Sequence, residues 1–215
     1  NLAHFGEQSE KKILKGIEFL KKSGARKVLG LVLPELRKLE RTIQSFPSVS
    51  RAVIAGSVRR RKETIGDVDI LVTSSKPKEV MERFLKLPQI AHVYGSGNTK
   101  TNIRLKNGLD ADLRVVPEES FGAALNYFTG SKAHNVELRK IAIKKGYKLN
   151  EYGLYKIKNA KIKNQNDKSK SKNVEIQIAG KTEEDLYEAL GLRYIEPELR
   201  ENTGEIEASY QNRLP

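Results

Sequence analysis

The sequence predicts an α+β fold with helices first, then a sheet-centred unit, then a smaller mixed region. Three observations predict it. Short apolar runs rich in β-branched residues cluster between residues 51 and 116. Apolar residues at helical spacing precede that cluster, and a second helical stretch follows from Glu119 to Gly146. Two of the strand-like runs are joined by Asn107-Gly108, a strong hairpin signal.

In chain order, Ser9 is placed to cap a helix over 9–22, with Ile13, Leu14, Ile17 and Leu20 on one face and Gly24 as its stop. Leu36, Leu39 and Ile43 predict a second helix from Pro34 to Phe46. Strands are predicted at Arg51–Ala55 and Asp67–Thr73, a helix at Lys78–Leu87, and strands at Ala91–Tyr94, Asn102–Lys106 and Leu109–Val116. Asn107-Gly108 is expected to form a type I′ turn. The helical pattern from Glu119 breaks at Gly130-Ser131. Short strand-like pieces then flank Asn159–Asn173, a Lys/Asn/Ser-rich stretch expected to be a mobile surface loop. Thr182 with Asp185 reads as a capping box opening a helix to Leu190, and the acidic tail from Glu196 reads as irregular.

A charged fraction of 31% with no apolar run of membrane-spanning length points to a soluble protein without a membrane partner. There is no cysteine, which excludes disulfides and thiolate metal sites and suits a reducing cytoplasm. The net charge of +13 is uneven: residues 181–215 hold four Lys/Arg against nine Asp/Glu, so the basic excess lies in residues 1–180. A basic body attracts polyanions because bound phosphates release counterions. A lysine-rich solvated surface would look the same on charge alone.

The chemistry-bearing segment runs from Gly56 to Val72. Gly56-Ser57 lets backbone N–H groups approach an anion, since Gly has no Cβ. Arg59, Arg60, Arg61 and Lys62 follow, then Gly66, then Asp67 and Asp69 at i and i+2 on a strand. That spacing places both carboxylates on one face and Val68, Ile70 and Val72 on the other. Adjacent carboxylates repel unless a hard cation such as Mg²⁺ or Mn²⁺ bridges them. Asp110, Asp112 and Arg114 share one face of a later strand, so one of those two aspartates completes a three-carboxylate cup if the strands adjoin. Such a cup fits two ions about 3.5–4 Å apart in phosphoryl chemistry.

Gly56-Ser57 with Gly66-Asp67-Val68-Asp69 resembles the nucleotidyltransferase signature of polymerase beta-like enzymes. The likeness to family X DNA polymerases is closer, through Gly-Ser-x-Arg-Arg at 56–60, Asp112-Leu113-Arg114 and Tyr127-Phe128-Thr129-Gly130-Ser131. Asn135, Arg139, Gly146-Tyr147 and Asn150-Glu151-Tyr152 also fall at the family's spacing. The resemblance spans roughly residues 1–210, is nearest the bacterial and archaeal branch, and implies a chain truncated to its catalytic core. It divides the chain into a helix-hairpin-helix remnant with a fingers-like helical segment (1–48), a palm (49–119) and a nucleotide-selecting subdomain with an acidic tail (120–215). Its palm implies a nucleotidyltransferase sheet, mixed or antiparallel.

The resemblance implies a monomeric, template-directed enzyme that adds dNTPs to a DNA primer with two Mg²⁺ ions, Mn²⁺ being an alternative. Asp67 and Asp69 would bind both metals and Asp112 the one that activates the primer hydroxyl. Arg26, Gly56, Ser57, Arg60 and the Gly66 backbone would hold the triphosphate. Tyr127, Phe128 and Gly130 would line the sugar pocket, Asn135 would touch the base, and Arg139 the template. Arg114 would exchange ion pairs as the site closes, and Gly6 would contact DNA phosphate. Taken singly, Tyr127-Phe128 also fits a buried aromatic pair, Arg139 a solvated helix residue, and the arginine run a general phosphate patch. His134 reads as a surface or stacking residue. Ile65 and Val136 depart from animal polymerase beta, which has a serine and a lysine there. A template-independent nucleotidyltransferase and a DNA-gap-binding module remain rival readings.

Overall fold

The computed structural model describes Gly6, Glu10, residues 26–162 and residues 170–214, with backbone alone at 159–162 and 170–173. The helix expected over 9–22 therefore lies outside the described residues, apart from Glu10, whose N–H donates to the Gly6 carbonyl at 3.1 Å.

Strand β1 (Lys27–Val28) pairs with β3 (Thr64–Ile65) in a two-stranded sheet. Helix α1 (Leu29–Gln44) begins five residues before the expected start. Its first N–H is held by the Glu63 carbonyl at 2.8 Å, and Pro34 lies inside it, where proline forgoes one backbone bond. Val32, Leu36, Leu39 and Ile43 form its buried stripe.

The main sheet contains β2 (Val49–Ile54), β4 (Asp67–Ser74), β5 (Ile90–Ser96), β6 (Lys100–Leu105) and β7 (Asp110–Val116), in the order β2-β4-β7-β6-β5. It is mixed: β4 and β7 run parallel, while the other neighbours are antiparallel. A parallel pair needs a crossover, supplied here by α3 (Pro77–Leu85), β5 and β6. Val68, Ile70 and Val72 pack with α1 and with Val80, Met81 and Phe84 of α3. Leu71, on the opposite face, joins Val116, Phe121, Ala124 and Leu125 in a second cluster.

The hairpin between β6 and β7 forms, but not with a type I′ turn. Gly108 donates to the Leu105 carbonyl at 2.9 Å, and Gly108 (φ +86°), not Asn107, takes the left-handed conformation. This is a three-residue loop whose glycine closes the turn, and the Asn107 side chain accepts from the Leu109 N–H at 3.0 Å.

After a 3₁₀ turn at Glu118–Ser120 come α4 (Phe121–Thr129) and α5 (Lys132–Lys144), broken at a cis Gly130-Ser131 peptide. Helix α4 is buried on almost every side because it lies between two cores. Ala124 belongs to the sheet's second cluster, and Ala123 to a third with Leu138, Leu154, Leu186, Tyr187 and Leu190. The third core is built by α5, the three-stranded sheet of β8 (Tyr147–Asn150), β9 (Gly153–Ile162) and β10 (Lys170–Ala179), and α6 (Glu183–Ala189).

Two expectations are corrected here. The stretch around 159–173 is not all loop: β9 and β10 stay in register out to the Ile162–Lys170 pair, because ladder hydrogen bonds carry a ribbon that apolar periodicity does not mark. The acidic tail is not wholly irregular, holding a 3₁₀ turn at Pro197–Leu199 and α7 (Glu205–Tyr210). The Thr182–Asp185 capping box forms in both directions, Thr182 accepting from the Asp185 N–H at 3.1 Å and Asp185 from Thr182 N–H at 3.2 Å.

Candidate active site

The parallel register of β4 and β7 sets Asp69 beside Asp112 and Asp67 beside Asp110. All four project from the face that α4 covers farther along, at Leu71 and Val116. Strand alternation left Asp110 and Asp112 open and the family resemblance named Asp112; their partners in the fold now distinguish the two. Both Asp110 oxygens accept from Arg104, at 2.8 and 2.9 Å, and Tyr94 OH donates to Oδ1 at 2.7 Å. Asp112 accepts one short hydrogen bond from the Asn102 amide and has Lys100 Nζ at 3.9 Å from its other oxygen. Asp110 is thus consumed structurally, while Asp112 keeps acceptor capacity next to Asp69.

Burial first, then the charges of Asp67 and Asp112, push the Asp69 carboxyl up to about 7, with Arg114 and Arg60 opposing. Carboxylates set at each other's expense fit a hard divalent cation, which would reverse that repulsion. Gly56 (φ +62°) gives a second sign of close fit: a Cβ there would stand 2.6 Å from Asp69 Oδ2. Among the described residues, no three His, Cys, Asp or Glu side chains already converge to grip one ion.

Beside Asp67 and Asp69 opens a cleft of about 570 Å³, also lined by Arg26, Gly56, Ser57, Arg60, Gly66, Tyr127, Phe128, Gly130, Asn135 and Arg139. Gly56 opens the short helix α2 (Gly56–Arg59), so the Gly-Ser turn is one helical turn whose start faces the cleft. Arg26 donates to Thr64 Oγ1 at 2.9 Å, which carries its guanidinium over Gly66. Tyr127 is 37% exposed and meets Phe128 edge-on at 5.1 Å, so the pair is not an interior core pair. The Asn135 amide donates to the Tyr127 carbonyl at 2.7 Å, tying α5 to the end of α4. Its Oδ1 is buried without a partner. Arg114 stacks over Phe128 at 4.7 Å and its buried Nε has no partner, leaving it able to change contacts. Arg114 and Asp112 stand outside the lining, and Gly6 is exposed and not part of it.

The arginine run is not one patch. Arg59 points inward and donates to both Glu183 oxygens, at 2.9 and 2.6 Å, and to Thr129 Oγ1 at 2.8 Å. Arg200, fully buried, reaches the same Glu183 carboxylate at 2.5 Å. Arg60 donates to Glu201 at 2.8 Å and to the Thr129 carbonyl; Arg61 pairs with Glu198 at 2.8 Å, and Lys62 with Glu201 at 3.5 Å. The acidic tail therefore lies on the basic cluster. His134 is also corrected: it is fully buried, with Nδ1 2.7 Å from Glu205 and Nε2 2.8 Å from the Tyr187 hydroxyl. Its position in α5, three residues past the Ser131 cap and one turn from Leu138, makes it inward-facing.

Sequence reasoning passed over Lys132 and Thr129 in the cleft and Asn102 and Lys100 beside Asp112. Lys132 could have been found from its place directly after the Gly130-Ser131 break. Asn102 had no such signal, since only strand pairing sets it opposite Asp112.

The family model described as DNA polymerase beta palm matches residues 34–116, and that described as DNA polymerase beta thumb matches residues 124–201. The chain is 35% identical over 208 residues to the DNA polymerase/3'-5' exonuclease PolX of Bacillus subtilis, covering 96% of this chain and 34% of that protein. It is 29% identical over 165 residues to the Repair DNA polymerase X of African swine fever virus, covering 73% and 86% respectively. Leishmania infantum polymerase beta, solved as a ternary P/T complex, superposes with a TM-score of 0.68 at 25% identity, covering 93% of this chain and 84% of that one. The chain spans about a third of the PolX protein it matches. With palm and thumb models together matching more than half of its length, the chain belongs to family X, the polymerase beta family of DNA polymerases.

Proposed function

We infer that this chain is a template-directed DNA polymerase, adding dNTPs to a primer 3′-hydroxyl in short gaps. The observation that carries this reading is the register of β4 and β7, which sets Asp69 against Asp112 at the mouth of a cleft lined by Arg26, Ser57, Arg60 and Arg139.

The three carboxylates Asp67, Asp69 and Asp112 would hold Mg²⁺ or Mn²⁺, which when bound would activate the attacking hydroxyl and neutralise charge on the phosphates. Gly56 and Ser57 offer backbone N–H groups, and Arg26 and Arg60 offer guanidinium forks, to a triphosphate. Tyr127 and Phe128 form a wall against which a ribose 2′-hydroxyl would press. Asn135 faces the base, and Arg139 the template strand. Arg114 leaves its stack on Phe128 as the subdomains close. The primer oxygen then attacks the α-phosphate in line, and pyrophosphate departs. Rate enhancement rests on positioning and electrostatics, with no protein side chain needed as base. We place this activity in a three-part chain of residues 1–48, 49–119 and 120–215, working as a cytoplasmic monomer. Among the described residues no helix is long and apolar enough to cross a membrane.

The test is extension of a one-nucleotide-gapped duplex with Mg²⁺ or Mn²⁺, beside a single strand lacking a template. Addition of the complementary nucleotide to the gap alone supports the reading. Equal addition without a template would identify a template-independent transferase, and binding without addition a gap-recognition module.

A further inference from the structure

Arg60 and Lys62 both line the cleft, yet both are bound to one carboxylate of the molecule itself, Glu201. We propose that Glu201 is an internal anionic occupant of the phosphate clamp, surrendering Arg60 and Lys62 to an incoming polyphosphate and reclaiming them as pyrophosphate leaves. This rests on reading the cleft as the nucleotide site.

Glu201 does not sit on a fraying tail. Its neighbour Arg200 is fully buried, donating to Glu183 at 2.5 Å and to the Ile195 carbonyl at 2.9 Å, while its own carbonyl accepts from the Ser131 N–H at 3.0 Å. On the other side, Glu205 accepts from the N–H groups of Asn202 and Thr203, at 2.8 and 2.7 Å, and meets His134. Glu201 is thus presented from a bend pinned at both ends, directly toward the palm.

The carboxylate of this pair also has somewhere to go, and Arg60 keeps its bond to the Thr129 carbonyl without it. Side-chain exposure is 14% for Arg60 and 28% for Glu201, so water can take the carboxylate once it is displaced. A polyphosphate with several negative charges and bidentate geometry outcompetes one carboxylate for a guanidinium. Occupation by Glu201 lowers apparent affinity by the fraction of molecules in which the clamp is engaged. The same competition favours release of the product.

Calorimetric titration of Mg²⁺-pyrophosphate and Mg²⁺-dATP without DNA tests this. Glu201→Gln should bind both about five- to tenfold tighter than wild type, the gain shrinking at high salt. Glu201→Asp keeps the charge but withdraws it from Arg60, and should fall between. Glu198→Gln removes the same charge from a neighbour that touches neither cation, and should change affinity by under about twofold. Arg60→Gln should weaken both ligands, and adding Glu201→Gln to it should restore little. A loss in Arg60→Gln with no gain in Glu201→Gln overturns this proposal alone, as does an equal gain in Glu198→Gln. Wild-type binding in Arg60→Gln overturns the nucleotide-site reading as well.

Discussion

Asp110 and Asp112 stand two residues apart on one strand, yet their substitutions should fail in different ways. Asp112→Ala should abolish nucleotide addition with little change in melting temperature, because its half-exposed carboxylate is held only by the Asn102 amide and a Lys100 at 3.9 Å. Asp110→Ala should keep measurable activity but lose roughly 1–3 kcal/mol of stability, since Arg104, 8% exposed, would lose its bidentate partner. Primer extension and urea unfolding on both variants read this out, and a dead, stable Asp110→Ala would reverse the assignment. His134 makes a pH prediction. Burial pushes its imidazole below the ordinary histidine range and Arg200 adds to that, against Glu205 and Glu183, while the Tyr187 hydroxyl meets its other nitrogen. An unfolded histidine takes up a proton near about pH 6.5, but the folded one resists, so stability should fall as pH drops below that value. Glu205, held below the usual carboxylate range, should add its own loss only at more acid pH. His134→Gln should cost about 1–3 kcal/mol at neutral pH and flatten the decline between about pH 6.5 and 5. Parallel pH curves for the two proteins would remove His134 from that role.

Among the elements, α4 is the least replaceable because it packs toward both cores at once. Gly122 sits where any Cβ would overlap the Thr182 backbone just before α6, and the Gly122 N–H donates to the Lys181 carbonyl at 3.1 Å. Backbone cannot yield as a flexible side chain does, so Gly122→Ala should destabilise by about 3 kcal/mol or more. Thermal unfolding checks this, and a wild-type melt would mean that the α4–α6 approach relaxes freely. The β9–β10 ribbon invites the opposite expectation. Replacing Lys161, Lys170 and Lys172 of the ribbon, together with Lys163 and Lys168, which lie outside the described residues, by Gln should flatten the salt dependence of DNA binding only modestly, each true phosphate contact contributing a log–log slope of about −0.9. Loss of most DNA affinity would make the ribbon a principal clamp.

Across the whole molecule, the basic body and acidic C-terminal region meet rather than avoid each other. Arg59 from the palm region and Arg200 from the tail share Glu183, whose carboxylate they hold below its usual range although burial alone would raise it. Glu183→Gln would leave two guanidiniums facing a neutral amide in a buried setting, at a cost of about 3–5 kcal/mol. Because the three residues come from both sides of α4, that variant should also lose cooperativity between the two cores. Differential scanning calorimetry would show this as a broadened or split transition. A single sharp transition at the wild-type temperature would mean that apolar packing alone couples them.

Local pattern determined much of this protein. The Asp67–Asp69 spacing, the core-facing Val68, Ile70 and Val72, the Thr182 capping box and the break at Gly130-Ser131 all follow from periodicity and short-range chemistry. The mixed sheet was foreseen only as one of two forms, and α1 was foreseen without its first five residues, since its start depends on Glu63. Tertiary structure alone laid β7 parallel to β4, setting against Asp69 the Asp112 that the family resemblance had named and strand alternation had left open, and giving Asp110 to Arg104. It alone turned Arg59 inward, buried His134 against Glu205 and laid Glu201 on Arg60. Those three pairings join residues 71 to 141 positions apart in the chain. No window of sequence holds both members of such a pair, and a charged side chain reads the same in every window until its partner is brought beside it.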